Sequence, residues 1–424
     1  MASPEDLTLH STRRAALALG LGGLATPALA DMHPPRTRQD GLMTFPQDAV
    51  SPVDLTTVSN TPIRLRALEL WRTAQAGTFM VRAVSEDGVE GVVRASSKAE
   101  ETVEFFRIFV QPKFVGKDVR DLYRILQRGY RDDYEFAGIP WWSAMGQAEV
   151  AIWDLIGKTV GKPCHALMGP RLRSEIPMYL SSNKRDTTPE VEVEHLRQRV
   201  AETGCRAIKV KVGRRMGRNT DMTPGRSEAM IRAVREAFGD QMVIYADANG
   251  AYDAPTALEM CRMLEGYGVA MFEEPCPFEG FEMVKQVTDR TTMRIAGGEN
   301  DSAFEKWAWY CDNHAYDVLQ PDPMYNGGIL RCIAVQKMSE AAGLLYNPHF
   351  PRNGADTSPL LHLCAVAPNL FGYQEYRSRP DALDYGHSPV LTPRDGMLAV
   401  SDRPGWGIDY DPSLWSTATR VLPA

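Results

Sequence analysis

The 424-residue chain has no C-x-x-C pair, little net charge and no apolar run long enough to cross a bilayer with confidence. Without C-x-x-C, neither a zinc ribbon nor a dithiol redox motif is supported. The seven cysteines are an odd number, so at least one thiol is unpaired within the chain. A formal net charge of −7 argues against nucleic acid as the main partner and leaves small molecules open. Hydrophobic and charged fractions of 44% and 24% are ordinary for a globular protein and exclude disorder or collagen.

The first 30 residues are expected to be an export signal. Arg13 and Arg14 stand directly before an apolar stretch, Ala15–Ala30, which ends in an A-x-A cleavage signature. The paired arginines resemble a twin-arginine signal, and the alternative is a buried N-terminal helix. We therefore expect a periplasmic protein with no membrane association once residues 1–30 are removed. An N-terminal extension would follow over residues 31–61.

The remainder of the chain divides into two predicted domains and a tail. Residues 62–170 combine a strand meander with amphipathic helices, which predicts an α+β module. Over residues 171–380, short strands alternate with helical stretches of roughly 10 to 15 residues, which favours a (β/α)8 barrel over an open sheet. Residues 381–424, rich in proline and glycine, are expected to pack back on the first module. The predicted helices of that module are Ala99–Lys113, Asp118–Tyr130 and Ala148–Lys158, and the predicted barrel strands are Ile176–Tyr179, Ala207–Val212, Val243–Asp247, Met271–Glu273, Arg294–Ala296, Val318–Gln320, Leu344–Asn347 and Leu370–Tyr373.

Four predicted barrel strands end in a carboxylate. Asp247, Glu273, Glu299 and Asp322 follow one another at intervals of 26, 26 and 23 residues, about one βα unit each. Because the carboxyl ends of barrel strands meet at one mouth, these side chains should converge. Three converging carboxylates need a cation to stay ionised, and an all-oxygen set favours Mg²⁺ over zinc. We assign the first three as metal ligands, the alternative being solvated loop acids. Glu274, which faces the other way on its strand, is expected to support the site.

Two lysines lie on one face of the second predicted barrel strand. In Ile208-Lys209-Val210-Lys211-Val212, strict alternation puts the valines against the helices and both lysines inside the barrel. Buried cations need anionic partners, and two crowded ammonium groups are expected to lower each other's pKa. A lysine with a pKa of about 7–8 acts as a base near neutrality. The alternative, an exposed edge strand, fits poorly with so apolar a run.

Asp322 and His349 stand at the ends of the sixth and seventh predicted strands, again about one unit apart. A carboxylate beside an imidazole fixes its tautomer and raises its basicity, so we interpret the two as a catalytic pair. A lone histidine would otherwise be structural. Glu375, which follows the eighth predicted strand, is expected to lie near a substrate oxygen as a neutral acid.

Together these residues resemble the enolase superfamily, specifically its mandelate racemase-like members. The similarity extends over nearly all of residues 62–410. The motifs that carry it are Lys209-Val210-Lys211, Asp247-Ala248-Asn249, Phe272-Glu273-Glu274-Pro275, Gly298-Glu299-Asn300, the Asp322/His349 pair, and Ala151-Ile152-Trp153-Asp154 leading to Gly157-Lys158.

The resemblance implies an α+β capping domain over a modified TIM barrel of the (β/α)7β type, essential Mg²⁺, and abstraction of a proton α to a carboxylate. It also implies a homo-oligomer, since relatives are commonly oligomeric. The roles that it implies are Lys211 as one base, Lys209 as an aid at the bound carboxylate, His349 backed by Asp322 as the second acid/base, Glu375 as the electrophilic partner and Asn249 as a substrate contact.

One departure concerns the loop after Lys211, which is long and carries Arg214, Arg215, Arg218 and Arg226. Its ordinary interpretation is a solvated or intersubunit insert, and the alternative is a set of cationic contacts to an acidic substrate.

The same core residues serve several reactions. Dehydration of a sugar acid to a 2-keto-3-deoxy acid, racemisation or epimerisation of a 2-hydroxy acid, and lactone cycloisomerisation all begin with α-proton abstraction. We favour dehydration, because the arginine-bearing loop and the mixed polar and aromatic segment Tyr130–Trp142 suit a hydroxylated substrate. The expected partner is thus a small-molecule carboxylate, an acid sugar. A binding protein without turnover is disfavoured, because no base or ligand of the set is missing.

Overall fold

The computed structural model describes residues 51–74, 78–378, 387–389 and 391–422. The predicted export signal, and the predicted extension up to residue 50, lie outside the described residues. Within the described ranges, no helix combines the length and the apolar character that a membrane span requires.

The N-terminal module is built on an antiparallel meander of three strands, β1 (Leu65–Arg72), β2 (Phe79–Ser85) and β3 (Glu90–Arg94). The tight turn between β2 and β3 contains Gly88, whose φ of +82° is the left-handed conformation that glycine adopts without strain. Its helices are α1 (Val103–Phe105), α2 (Gln111–Phe114), α3 (Leu122–Asp132), α4 (Ile139–Val160) and α5 (Cys164–Met168).

Two of the predicted helices differ from the observed ones. The segment predicted as one helix over Ala99–Lys113 is broken by a π-helical turn at Phe106–Val110. Pro112, at the start of α2, has no amide hydrogen to continue the regular ladder. Helix α4 begins at Ile139, nine residues before the predicted start. It is buried on nearly every side between the meander and the barrel, so its first turns lack the amphipathic pattern by which a surface helix is recognised.

The second module is a barrel of eight parallel strands. Its strands are β4 (Glu175–Ser181), β5 (Ala207–Lys211), β6 (Val243–Asp247), β7 (Met271–Glu273), β8 (Ile295–Gly297), β9 (Val318–Leu319), β10 (Leu345–Tyr346) and β11 (Gln374–Arg377). The intervening helices are α6 (Pro189–Thr203), α7 (Arg226–Phe238), α8 (Ala254–Gly266), α9 (Phe281–Thr288), α10 (Phe304–Asn313), α11 (Ile329–Ala341) and α12 (Ser358–Val366). Strand follows strand in sequence order, and β11 returns to pair with β4.

The closing strand lies later than predicted. The segment predicted as the eighth strand, Leu370–Tyr373, contributes one isolated bridge from Leu370 to Tyr346, and β11 starts at Gln374. The chain thus contacts β10 at Leu370 and then pairs with β4 along β11, and these two contacts close the barrel. The next helix among the described residues is α13 (Ser413–Thr417), which packs on the N-terminal module, so the barrel is of the (β/α)7β type and the residue pattern alone overcounted one helix.

The C-terminal segment contacts both modules. Its strands are β12 (His387–Ser388), β13 (Met397–Ala399), β14 (Asp409–Tyr410) and β15 (Thr419–Leu422). Strand β13 pairs with β4 of the barrel, and β15 adds a fourth strand beside β1. In α13, Leu414 packs on Met80 and Val92, which covers the outer face of the meander.

Below the mouth of the barrel lies an apolar layer that supports the polar residues above it. The members of this interior cluster are Tyr179, Ala207, Tyr245, Met271, Ala296, Val318 and Phe371. On β5 and β6, Lys209 lies opposite Tyr245 and Lys211 opposite Asp247. Lys209 is therefore level with a residue of this apolar layer, and Lys211 and Asp247 stand above it.

Candidate active site

Three carboxylates meet at the C-terminal mouth of the barrel. Asp247 ends β6, Glu273 ends β7, and Glu299 follows β8 after one glycine. One oxygen of each lies within 4.8 Å of the others. Asp247 and Glu273 are buried and Glu299 is half-buried, so like charges crowd together with little water to screen them. The structure thus brings together the three residues that the sequence assigned as metal ligands.

Glu299 reaches this cluster through a glycine turn. Gly298 has a φ of +106°, and a Cβ built on it would collide with the ring of Trp307 on α10. Both the backbone angle and the close approach of the ring require glycine at this position.

Both lysines of β5 project into the barrel. Lys209 Nζ donates to the two carboxylate oxygens of Glu273, each at 2.8 Å, and lies 3.8 Å from an oxygen of Glu375. Lys211 Nζ pairs with Asp247 Oδ2 and donates to Asn249 Oδ1 at 3.1 Å. The alternation of β5 therefore places both Nζ atoms among carboxylates.

The expectation that the two lysines lower each other's pKa is wrong for Lys209. Burial lowers its pKa, but the carboxylates of Glu273 and Glu375 outweigh burial and hold the pKa well above its usual value. Burial also raises the pKa of Glu273, to about 7. For Asp247 burial acts in the same direction, but the Lys211 and Lys209 cations bring its pKa below its usual value. The pKa of Lys209 is thus governed by the acids around it.

Asn249, predicted as a substrate contact, is held by protein groups. Its backbone is left-handed, with a φ of +43°, and its Oδ1 accepts from Lys211 and, at 2.9 Å, from Arg185 Nη2. Its Nδ2 donates to Glu274 Oε2 at 3.0 Å. Glu274 also accepts from Asn300 Nδ2 at 3.2 Å, so it supports the cluster from outside, in the position that strand alternation predicts. In the structure Asn249 therefore orients Lys211.

The imidazole of His349 lies against Asp322 on one side and the acidic cluster on the other. Its Nδ1 is 2.6 Å from Asp322 Oδ2, and its Nε2 is 3.1 Å from Glu299 Oε2. Asp322 is itself fixed by the backbone N–H of Met324, which donates to Oδ1 at 2.6 Å. Burial lowers the pKa of His349, but Glu299, Glu375 and Asp322 together raise it to about 10.

Glu375 does not have the protonation state predicted for it. It lies in β11, buried beside Lys209 and 3.5 Å from His349 Nε2. Burial raises its pKa, but the two neighbouring cations lower it to about 2. The prediction of a neutral acid is therefore wrong for this arrangement, because Glu375 is ionised at neutral pH.

These side chains open into a cavity of about 480 Å³ between the two modules. The barrel residues named above that line it are Lys211, Glu299, Asn300, Asp322, Met324, His349 and Glu375. The N-terminal module contributes Ser96, Ser97 and Lys98 from the loop after β3, and Ile139 from the first turn of α4. Of the segment Tyr130–Trp142, expected as a cap, Ile139 thus lines the cavity, while Trp142 is buried behind it, with its ring over Arg331.

The arginines of the long basic loop differ in role, and neither interpretation fits the whole loop. Arg215 lines the cavity, with Nη2 3.5 Å from Asn249 Oδ1. Arg226 is buried at the start of α7 and donates to the backbone carbonyls of Thr187 and Lys211, which is a structural role. Arg215 is therefore the arginine of this loop that lines the cavity.

Sequence reasoning missed three polar residues of the site. Gln320, directly after β9, donates from Nε2 to Glu273 Oε2 at 3.0 Å. Arg185 and Arg352 lie in the loops after β4 and β10, two strands that have β11 between them. All three follow the carboxyl end of a strand, which is the signal that identified the acids and His349 and was not extended to glutamine or arginine.

Comparison with protein families identifies the family to which the chain belongs. Residues 54–169 match the mandelate racemase / muconate lactonizing enzyme N-terminal domain, and residues 192–414 match the enolase C-terminal domain-like family. The chain belongs to the mandelate racemase / muconate lactonizing enzyme family of the enolase superfamily. This confirms the resemblance seen in the sequence and the prediction of a modified TIM barrel with an N-terminal capping domain.

Individual relatives carry different activities in their names. Arabinonate dehydratase of Saccharolobus solfataricus is 30% identical over 267 residues, 61% of this chain and 67% of that protein. A candidate racemase of Roseobacter denitrificans is similar in structure, with a TM-score of 0.79 and 33% identity over 85% of this chain and 100% of that one. A mandelate racemase/muconate lactonizing protein of Paracoccus denitrificans complexed with magnesium has a TM-score of 0.77 and 25% identity, over 85% of this chain and 99% of that one.

Proposed function

We propose that the protein is a Mg²⁺-dependent sugar-acid dehydratase. It removes the α-proton of a carboxylate substrate, expels the β-hydroxyl as water and releases a 2-keto-3-deoxy acid. The observation that carries the proposal is that Lys211 and His349, from strands on opposite sides of the barrel, line one cavity together with Glu299.

The acidic cluster fits a divalent cation. Asp247, Glu273 and Glu299 offer oxygen ligands within 4.8 Å of one another, and hard oxygen ligands are those that Mg²⁺ prefers. The crowding of three carboxylates is relieved by a cation, which is the same reason that Lys209 and Lys211 are found against them. Bound there, Mg²⁺ would supply electrostatic stabilisation of the negative charge that develops on the substrate carboxylate.

Lys211 and Lys209 act on one face of the substrate. Neutral Lys211 takes the α-proton, and the C–H electron pair passes into the carboxylate to give an enediolate. Asn249 and Arg185 fix the position of Lys211 through the hydrogen bonds to Asn249 Oδ1. Lys209 remains an ammonium ion beside the carboxylate-binding position and attracts its charge.

His349 acts on the other side. Because Nδ1 is engaged by Asp322, Nε2 is the ring nitrogen that faces the cluster. Nε2–H gives its proton to the departing β-hydroxyl as the C–O bond breaks, and the enol that remains tautomerises to the 2-keto acid. Ionised Glu375, 3.5 Å from Nε2, stabilises the imidazolium before that transfer.

Racemisation of a 2-hydroxy acid is the second candidate, favoured by the likeness to the candidate racemase of Roseobacter denitrificans. It needs the same two groups, with His349 returning a proton to the opposite face of the α-carbon. Dehydration is supported by the 30% identity to arabinonate dehydratase and by a cavity whose lining is largely polar.

The test is to incubate the protein with Mg²⁺ and a library of acid sugars, and to measure both 2-keto acid formation and incorporation of deuterium from D₂O. Keto acid formation supports dehydration. Stereoisomer exchange with deuterium incorporation but no keto acid would replace it by racemisation.

The base is tested separately. Lys211→Ala should abolish both keto acid formation and exchange, whereas Lys285→Ala, on the outer face of α9, should leave both unchanged. Unchanged turnover in Lys211→Ala would refute the assigned base.

A further inference from the structure

We propose that Arg352, with Lys98 of the capping domain, forms an anion-binding subsite, so that the substrate is a diacid: a sugar acid with a second carboxylate at the end away from the metal ligands. The inference rests on the proposed function, because it extends the same cavity.

Arg352 is a buried cation on the cavity wall. It is 5% exposed and lies three residues after His349 in the loop that follows β10. Its Nη2 donates to the carbonyl of Ala95 in the capping domain at 3.0 Å, and its own carbonyl accepts from the backbone N–H of Arg377 in β11 at 3.0 Å. The side chain is therefore held between barrel and cap at the place where the two modules close the cavity.

The protein leaves part of this guanidinium unsatisfied. Arg352 Nε is buried and has no hydrogen-bond partner within the described residues. No ion pair of Arg352 is found among the same residues either, although nearby Arg94 pairs with Asp356 at 3.4 Å. A buried guanidinium without an anion is costly, so an anion from outside the chain is the natural partner.

The electrostatics around Arg352 agree with this arrangement. Burial lowers its pKa, and the repulsion of Arg94 and Arg377 lowers it further, more than Asp356 and Asp322 restore it. Its immediate surroundings are thus short of negative charge. At the metal end of the cavity, by contrast, the lysines are matched by carboxylates.

Lys98 adds a second, adjustable cation from the capping domain. It lines the same cavity, its side chain is 62% exposed, and its Nζ lies 3.4 Å from Glu101 Oε1. The backbone of this loop is fixed, since Ser96 N donates to Gln147 Oε1 at 3.2 Å. A long side chain on an anchored loop can turn towards a bound anion without moving the backbone.

The chemistry of arginine selects the ligand. The planar guanidinium binds a carboxylate or a phosphate through paired hydrogen bonds. A sugar acid that ends in CH₂OH offers no such group and leaves the buried cation unpaired. A site built around a polar contact discriminates strongly against the analogue that lacks it.

The test compares matched acids on the wild-type protein with Mg²⁺. Galactarate is paired with D-galactonate, D-glucarate with D-gluconate, and 6-phospho-D-gluconate separates phosphate from carboxylate. We measure kcat/KM for keto acid formation and α-deuterium exchange, and binding by calorimetry. At least one diacid should exceed its matched monoacid by about 10-fold or more in kcat/KM and in affinity. Equal values for every pair overturn the proposal, and preference for the phosphate assigns the subsite to phosphorylated acids instead.

Variants then test the residue. Arg352→Gln should lose the diacid preference through KM, and Arg352→Lys should keep part of the preference. The matched control is Arg294→Gln. Arg294 directly precedes β8, at the end of that strand away from the mouth of the barrel. Retention of the preference in folded Arg352→Gln overturns the assignment. If Arg352→Gln does not fold, Arg352→Lys decides, because an unchanged preference there contradicts a role for the arginine fork.

The two proposals fail differently. Turnover of monoacids alone overturns the diacid subsite and leaves dehydration intact. Absence of any keto acid or exchange refutes the proposed function, and selective binding of diacids by calorimetry would then still support the subsite.

Discussion

His349 Nδ1 lies 2.6 Å from Asp322 Oδ2, and this contact decides which ring nitrogen faces the substrate cavity. The two residues follow adjacent strands, β9 and β10, so the parallel register of the barrel places them side by side. Asp322 is held in turn by the N–H of Met324, so the orientation of the imidazole is set by backbone geometry. The contact matters because Asp322 stabilises the imidazolium, and only the imidazolium presents a proton at Nε2 to the leaving hydroxyl.

Asp322→Asn should therefore separate the two halves of the reaction. An amide in place of the carboxylate no longer stabilises the imidazolium, so dehydration should fall by about 10²–10⁴-fold, the usual contribution of a general acid. Exchange of the α-proton, which depends on Lys211, should fall much less. Both rates are measured in D₂O on one substrate, with Asp240→Asn at the other end of the barrel as the control. Equal loss of both rates would show that the dyad serves proton abstraction as well.

Mg²⁺ should stabilise the folded protein as well as activate it. A ligand that binds the native state alone adds about 2.7 kcal/mol at a concentration of 100 times its Kd. Thermal unfolding with and without MgCl₂ should show a higher Tm with the ion, and chelation should reverse both the shift and the activity. Glu299→Gln should reduce the shift, since it removes a ligand from the most accessible corner of the cluster. A Tm independent of Mg²⁺ in the wild type would argue against the site.

Lys209 should be required for stability as well as for turnover. Its ammonium group is 1% exposed and bridges both oxygens of Glu273 at 2.8 Å. Lys209→Met leaves a buried carboxylate without its cation, which costs about 3–5 kcal/mol when one partner of a buried pair is removed. Urea unfolding measures this loss. The double variant Lys209→Met/Glu273→Gln should recover much of it without recovering activity, and failure to recover would place the cost elsewhere.

Export is a prediction that the sequence alone supports. We propose that Arg13 and Arg14 direct the folded chain through a twin-arginine pathway. Replacing both by lysine should retain the protein in the cytoplasm, while the wild type is recovered from the periplasm without residues 1–30. Fractionation followed by mass spectrometry of the N-terminus measures both effects, and a periplasmic fraction unaffected by the substitution contradicts the assignment.

The sequence predicted which polar side chains meet at the mouth of the barrel, because this arrangement follows from local pattern. Strand alternation placed Lys209 and Lys211 on the inner face, and the one-unit spacing of the acids brought Asp247, Glu273 and Glu299 to one mouth. Such inferences require only that the segment is a strand and that its direction in the barrel is known. The protonation states were predicted less well, because the pKa values of Lys209 and Glu375 depend on which charges face one another across the barrel.

What the sequence could not predict comes from contacts between distant segments. Arg352 contacts the carbonyl of Ala95, 257 residues away, and nothing in the local pattern of either segment indicates it. The early start of α4 escaped for a related reason, since a helix buried between two modules has no polar face to reveal its period. The contacts between the capping domain and the barrel are thus the part of the site that the sequence does not predict.

Glu149 of α4 makes another contact between distant segments, and this contact should hold the loop that carries Asp322 in place. Its carboxylate accepts from the backbone N–H groups of Ile329 and Leu330 at 2.7 and 2.9 Å, so the capping domain caps α11 of the barrel. Glu149→Gln turns one acceptor into a donor that faces these N–H groups, which should cost about 1–3 kcal/mol of unfolding free energy. Since α11 follows the loop that carries Asp322, kcat for dehydration should fall while Mg²⁺ affinity is unchanged. Glu190→Gln in the first turn of α6 is the matched control, and normal stability of Glu149→Gln would show that this contact does not support the site.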